Sequence, residues 1–176
     1  FEAEQIRVFG TMANKGYIYK GKKTVYWCPH CETALAEAEI EYGEQKTPTI
    51  FVKMPLVKDN GQTPEAAKGK KAYMVIWTTT PWTMPANVAV ALNPALEYAW
   101  VECEGEVLFM AKDLLAQVGA VCHKDLSNIL GTTLGKEMEY AECVHPFPEY
   151  NNRRSLVVMA DYVTTEAGTG CVHTAP

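Results

Sequence analysis

Over residues 1–16 the apolar positions recur every three or four places. Ile6, Phe9, Met12 and Ala13 fall on one helical face, and Gly16 stands where such a helix would end. The spacing predicts a helix there. Residues 17–27 read as extended chain around a Lys20-Gly21-Lys22-Lys23 turn. Residues 32–42 alternate only late, with Ala38, Ile40 and Tyr42 set against acids, which predicts a ribbon. From residue 47 a period of two takes over. It predicts strands over 49–57, 73–78, 87–92, 98–103, 106–111, 138–144 and 155–163. The second of these follows a polar loop, 59–71, whose turn signal is Asn60-Gly61. Pro55 marks an edge or a strand end, and Glu104-Gly105 marks a hairpin turn. The near-continuous apolar run at 155–163 predicts a central strand. Helical spacing returns at 112–121, and a short second helix is expected over 125–130, ended by Gly131.

Many short strands with few helices predict an α+β fold with a closed or partly closed β-barrel and peripheral helices. The expected division is a junction with a helix and ribbon at 1–46, and a barrel domain at 47–176. At 176 residues the chain can bury a real core. Its 48% hydrophobic and 21% charged content is that of a folded soluble protein. A net charge of -5 argues against nonspecific nucleic-acid binding but leaves room for local basic contacts. No apolar run approaches the roughly 18 residues of a membrane helix, and no stretch reads as a signal peptide. The chain starts at Phe1 and stops at Pro176 inside a patterned segment, so it reads as a piece of something larger.

Chemistry concentrates at three places. The first is Trp77-Thr78-Thr79-Thr80-Pro81-Trp82-Thr83-Met84-Pro85-Ala86-Asn87. An apolar strand runs into three hydroxyls, and two prolines then end regular structure. Such an edge can make a polar pocket with an apolar wall; a plain threonine-rich strand end gives the same string. The second is Gly168-Thr169-Gly170 followed by Cys171-Val172-His173. The glycines permit a tight bend and close approach of backbone to a ligand. His173 alternates with its neighbours, and is either a structural or a functional histidine. The third is Cys28-Pro29-His30-Cys31, two thiols at the spacing that grips one edge of a zinc tetrahedron. A half-site completed outside the chain, inert thiols and redox chemistry all remain open. The other four cysteines read as small buried hydrophobes, which suits a reducing, cytoplasmic setting. His30, His123 and His145 carry no motif, and no Ser/His/Asp or Cys/His triad is legible.

Four strings are specific enough to carry a resemblance: residues 28–42 (CPHCETALAEAEIEY), 77–87 (WTTTPWTMPAN), 160–163 (ADYV) and 168–176 (GTGCVHTAP). Together they resemble the isoleucyl-tRNA synthetase family, in the connective insertion that carries its editing site. Valyl and leucyl relatives usually carry Thr-Thr-Arg-Pro-Glu or Thr-Thr-Arg-Pro-Asp where this chain has Thr-Thr-Pro-Trp, which favours the isoleucyl branch. The resemblance implies hydrolysis of mischarged valyl-tRNA(Ile), and of valyl-adenylate. The tRNA 3′ end and the rest of the synthetase would be partners, and the chain is expected to be monomeric. The parent would attach isoleucine using ATP and Mg, with zinc; no cofactor is expected in this piece. Thr78, Thr79 and Thr80 are implied to bind the terminal adenosine and ester, with Trp82 and Thr83 lining the same loop. Asn87 is implied to orient that loop, and His173 to limit side-chain size. Gly168, Thr169 and Gly170 would lie against the substrate. The family's aspartate after the HTAP string and its second cysteine pair fall outside this sequence. Weak editing and an empty half-site at Cys28 and Cys31 are therefore expected. The rival reading is a non-catalytic zinc-knuckle module that docks tRNA, with Lys20–Lys23, Lys68–Lys71 and Arg153-Arg154 as phosphate contacts.

Overall fold

The computed structural model describes residues 1–44, 46–149 and 152–175. The chain separates into two compact units, Phe1–Gln45 and Lys46–Pro176.

The first unit holds helix α1 (Glu2–Asn14), with Glu2 and Glu4 in its first turn, where the helix dipole favours acids. Gly16 takes φ +77° just past its end, a conformation glycine adopts without strain. The strands β1 (Trp27–Cys28) and β2 (Thr33–Ala34) then form a two-residue hairpin around the Cys-x-x-Cys. The ribbon expected over 32–42 does not continue past β2. Glu37–Glu39 is a 3₁₀ turn, because the Glu39 carboxylate folds back to accept the Ala36 N–H at 2.7 Å.

Among the described residues the second unit is a mixed nine-stranded sheet with few helices. In chain order its strands are β3 (Ile50–Lys58), β4 (Ala72–Thr78), β5 (Ala89–Leu92), β6 (Glu97–Cys103), β7 (Glu106–Ala111), β8 (Ile129–Leu134), β9 (Glu142–Val144), β10 (Arg154–Met159) and β11 (Val172–Thr174). The order across the sheet is β11-β5-β10-β9-β3-β4-β7-β6-β8. Pairing is antiparallel except for β4 with β7 and β5 with β10. The turning point is β3. Residues 50–55 pair with β4, then Leu56 and Lys58 pair with β9 across an irregularity. Pro55, which has no N–H to donate, sits at the handover. Although four strands separate them in the sheet order, β11 also lies against β4. The α+β class is as expected, but the barrel does not close. Among the described residues no pairing joins the edge strands β8 and β11.

Tyr98, Trp100 and Phe109 anchor the core. Tyr98 stacks on Phe109 at 5.3 Å between ring centroids, and Trp100 tilts against Phe109 at 4.7 Å. Helix α2 (Leu115–Cys122), entered through a 3₁₀ turn at Lys112–Leu114, seals one side with Leu115 and Val118. The expected helix at 125–130 is absent. Asp125 instead accepts the Ser127 N–H at 3.0 Å, and the chain enters β8. Gly131 lies inside that strand because a Cβ there would come within 2.6 Å of Pro64. The expected strand at 138–144 shortens to β9, since Gly135–Met138 forms a 3₁₀ turn and Tyr140 takes φ +62°. The strand expected over 155–163 is central, flanked by β5 and β9, but it ends at Met159, and the chain turns at 161–162. No helix among the described residues is long and apolar enough to cross a membrane.

One hydroxyl ties core to loop. Buried Tyr98 donates to the Gly170 carbonyl at 2.7 Å and accepts the Asn93 N–H at 3.0 Å. Tyr98→Phe strands both backbone groups, so unfolding in urea is expected to show a loss of about 1–3 kcal/mol. An unchanged midpoint and slope would contradict this anchoring.

Candidate functional site

The end of β4 delivers the threonines. Thr78 is buried, and its hydroxyl accepts the Thr80 N–H at 3.0 Å, which bends the chain out of the strand. Pro81–Ala86 then forms a 3₁₀ turn with Pro81 in its first positions. Thr83 closes that turn: its N–H and its hydroxyl both donate to the Thr80 carbonyl, at 3.1 and 2.8 Å. The turn ends at Asn87, which is fully buried.

The Gly168–Gly170 bend arrives from the other side. Gly168 has φ +78°, and a Cβ there would sit 3.0 Å from the Trp77 ring. Gly170 has φ +70°, and its Cβ would lie 2.4 Å from Ala111 Cβ. Side chains at these two positions are excluded by conformation and by space. Between them Thr169 is buried, and its carbonyl accepts the Ala111 N–H at 2.8 Å.

His173 joins the two segments. Asn87 Nδ2 spends one proton on the Ala89 carbonyl at 3.0 Å and points the other at His173 Nδ1, 2.7 Å away. Nδ1 is therefore an acceptor, and the ring proton resides on Nε2. That Nε2–H faces Thr83 Oγ1 at 3.0 Å, an oxygen whose own proton is committed to Thr80. Every polar position of the imidazole is used. Burial pulls the His173 pKa below its ordinary value, the contact with Thr83 opposes this, and the charge of His145 adds to the lowering.

The result is a cleft of about 270 Å³. Thr78, Thr79, Gly168, Thr169, Gly170 and His173 all line it, with Trp77 as an apolar wall. Thr83 and Asn87 hold His173 from behind. Thr80 serves the turn, and Trp82 is 69% exposed and lines nothing here. The loop residues Tyr162, Val163, Thr164 and Ala167 complete the wall. Their sequence carries no chemical signal beyond the Ala160–Val163 string. Among the described residues no carboxylate, lysine or arginine lines the cleft. Cys171 does line it, but burial holds its thiol well above the ordinary range and so un-ionised. A larger cavity of about 720 Å³ lies at the other end of β4. Lys68, Lys70 and Lys71 line it, of which Lys68 and Lys70 pair with Glu65 and Glu102 at 2.5 Å each, and it gathers no comparable set of hydroxyls.

With this geometry in hand, the family profile described as "tRNA synthetases class I (I, L, M and V)" matches residues 1–161. The chain belongs to the class I tRNA synthetase family. Among curated members it is 54% identical to isoleucine–tRNA ligase of Caldicellulosiruptor saccharolyticus, over 100% of this chain and 19% of that protein. It is 51% identical to the isoleucine–tRNA ligase of Bacillus cereus (strain AH187), over 100% of this chain and 18% of that protein. The chain thus spans about a fifth of the length of these relatives. In fold it is similar to the solved structure described as "GlLeuRS-CP1" (TM-score 0.59, 15% identity, 72% of this chain and 54% of that one). It is also similar to the P. knowlesi cytosolic leucyl-tRNA synthetase editing domain (TM-score 0.56, 13% identity, 74% of this chain and 59% of that one).

The Cys-x-x-Cys at Cys28–Cys31 lies in the first unit. Cys28 Sγ accepts the Cys31 N–H at 3.3 Å, and such backbone donors, from Cys31 and then His30, lower the Cys28 pKa. The geometry suits a thiolate. Yet among the described residues no group of three or more His, Cys, Asp or Glu forms around it. Two sulfurs supply half of a zinc complement, so these residues do not themselves fit a zinc ion.

Two outcomes are expected. Metal analysis after equilibration with zinc and gel filtration should find no stoichiometric zinc; one zinc per chain would overturn the two-ligand assignment. NMR titration should find His173 neutral below the ordinary histidine pKa of about 6.5. The unfolded chain then binds the extra proton first, so this histidine's contribution to stability is complete above about pH 6.5 and falls as pH drops below it. A normal or raised His173 pKa would contradict the assigned bonds.

Proposed function

We propose that this chain is an editing module that hydrolyses valine esters of tRNA(Ile), and valyl-adenylate, while excluding isoleucine. The observation that carries the reading is the meeting of Thr78, Thr79 and His173 in one small uncharged cleft. The resemblance to isoleucine–tRNA ligases and to the fold of leucyl editing domains supports it. The need is physical. One methylene separates valine from isoleucine and is worth about 1–3 kcal/mol in a pocket, a figure known for this amino-acid pair rather than obtained from this structure. A second site that admits only the smaller side chain multiplies the discrimination.

In the proposed reaction water attacks the ester carbonyl. A C–O bond forms, the bond to the terminal ribose oxygen breaks, and that oxygen takes up the proton the water loses; in the adenylate the bond to the phosphate oxygen breaks instead, and the water's proton passes to solvent. His173 is not the base, because both ring nitrogens are occupied. It serves as a rigid neutral wall against the valine side chain. Thr78 and Thr79 present hydroxyls to the ester and adenosine, with Gly168–Gly170 offering close backbone. Catalysis on this reading is orientation of water and ester, aided by a ribose hydroxyl. The tRNA 3′ end and the rest of the synthetase are the partners, the setting is cytoplasmic, and ligation with ATP and Mg belongs to that remainder. Cys28 and Cys31 contribute to a zinc site completed by it.

Non-hydrolysable 3′-valylamino and 3′-isoleucylamino adenosine are the probes. The chain is expected to bind the valyl form in preference, with NMR shifts at Thr78, Thr79 and His173. His173→Ala should reduce that preference by roughly 10-fold or more. Equal binding of both probes by the unaltered chain, or shifts confined to the lysine-lined cavity, would refute the reading.

A further inference from the structure

Among the described residues four buried side-chain polar atoms have no protein partner: Asn87 Oδ1, Ser155 Oγ, His145 Nε2 and Thr174 Oγ1; the first three belong to side chains that are themselves buried. Burying such atoms unbonded is unfavourable, so their arrangement calls for a cause. Their hydrogen-bonding characters are complementary. His145 Nδ1 accepts the Phe147 N–H at 3.1 Å, which leaves the ring proton of the neutral imidazole on Nε2 as an unused donor. Asn87 has committed both amide protons, so its Oδ1 is an unused acceptor. The Ser155 hydroxyl can do both.

Register brings them together. Ser155 is directly opposite Cys143 across β10 and β9, so His145, two residues on, is its diagonal neighbour on the same face. On the other side Leu156 pairs with Ala89, and the Leu156 N–H donates to the Val88 carbonyl at 3.3 Å, which sets Ser155 beside Val88, the residue that follows Asn87. His173, bonded to Asn87, pairs with Val90 and through it with Val157, two positions along from Ser155 on that face. His145 is near enough to His173 to act on it electrostatically.

We propose that His145 is a positioning residue for the cleft: with Ser155 it holds one ordered water that donates to Asn87 Oδ1, and so fixes the carboxamide that keeps His173 in its Nε2–H form. The water has a donor in His145, an acceptor in Asn87 and a hydroxyl in Ser155, within the two to four partners that buried waters use. The carboxamide cannot then turn over, since its nitrogen would lose Ala89 and His173 together. The effect on His173 rests on geometry alone; its consequence for ester cleavage rests on the editing reading.

The test uses the chain with ¹⁵N-labelled histidines, and His145→Phe and Ser155→Ala variants. The unaltered chain should show His173 as a single Nε2–H tautomer, and a magnetisation-transfer cross-peak between His145 Nε2–H and a long-lived water. Each variant should show His173 as a mixture of tautomers while the amide spectrum stays folded. A single unchanged His173 tautomer in the folded variants, or no water cross-peak in the unaltered chain, overturns the proposal. If His145→Phe fails to fold, Ser155→Ala decides the matter by the same readouts. Tautomer mixing with no valyl preference in the unaltered chain would uphold the positioning and refute the editing reading instead.

Discussion

A neutral imidazole holds the candidate site together. His173 sits on β11 at the sheet's edge, and the threonines sit where β4 gives way to a 3₁₀ turn. The bonds from Asn87 Nδ2 to Nδ1 and from Nε2 to Thr83 are what fasten one to the other. They work only in one protonation state and one tautomer, because a proton on Nδ1 would face the Asn87 N–H. The rest of the site is built to keep that state. Asn87 is fully buried, Thr83 has its own proton engaged, and the surroundings disfavour charge. β3 passes from pairing with β4 to pairing with β9 around Leu56–Lys58, and β11 lies against β4.

The lining of the cleft sets its chemistry. Hydroxyls, backbone and one uncharged ring can position an ester and a water, but they cannot supply a strong acid, base or nucleophile. The one thiol present is kept protonated by burial. A site of this kind acts by orientation and by the shape of its walls, and both depend on rigidity. The glycine bend supplies rigidity through its neighbours. Tyr98, Ala111 and Trp77 press on it so closely that neither Gly168 nor Gly170 has room for a side chain.

Much of this was legible in the sequence because it rests on local signals. Alternation located most strands, Glu104-Gly105 located the hairpin, and the threonine and glycine strings marked the two halves of the cleft. What was missed depends on contacts remote in the chain. Gly131 looks like a helix stop, yet it serves to let β8 pass Pro64. The run at 138–144 looks like one strand, yet a 3₁₀ turn and the left-handed Tyr140 break it. Trp82 shares a string with the site residues, but the 3₁₀ turn faces it outward. His145 carries no motif, and only the pairing of β9 with β10 shows which face it shares.

The most direct measurement is a crystal structure of the chain with 3′-valylamino-adenosine bound. The account predicts the valine side chain against the His173 ring, the carbonyl within reach of the Thr78 and Thr79 hydroxyls, and the Asn87–His173–Thr83 bonds unbroken. A ligand seated elsewhere, or a His173 ring swung away from Asn87 to bond the ligand itself, would contradict it.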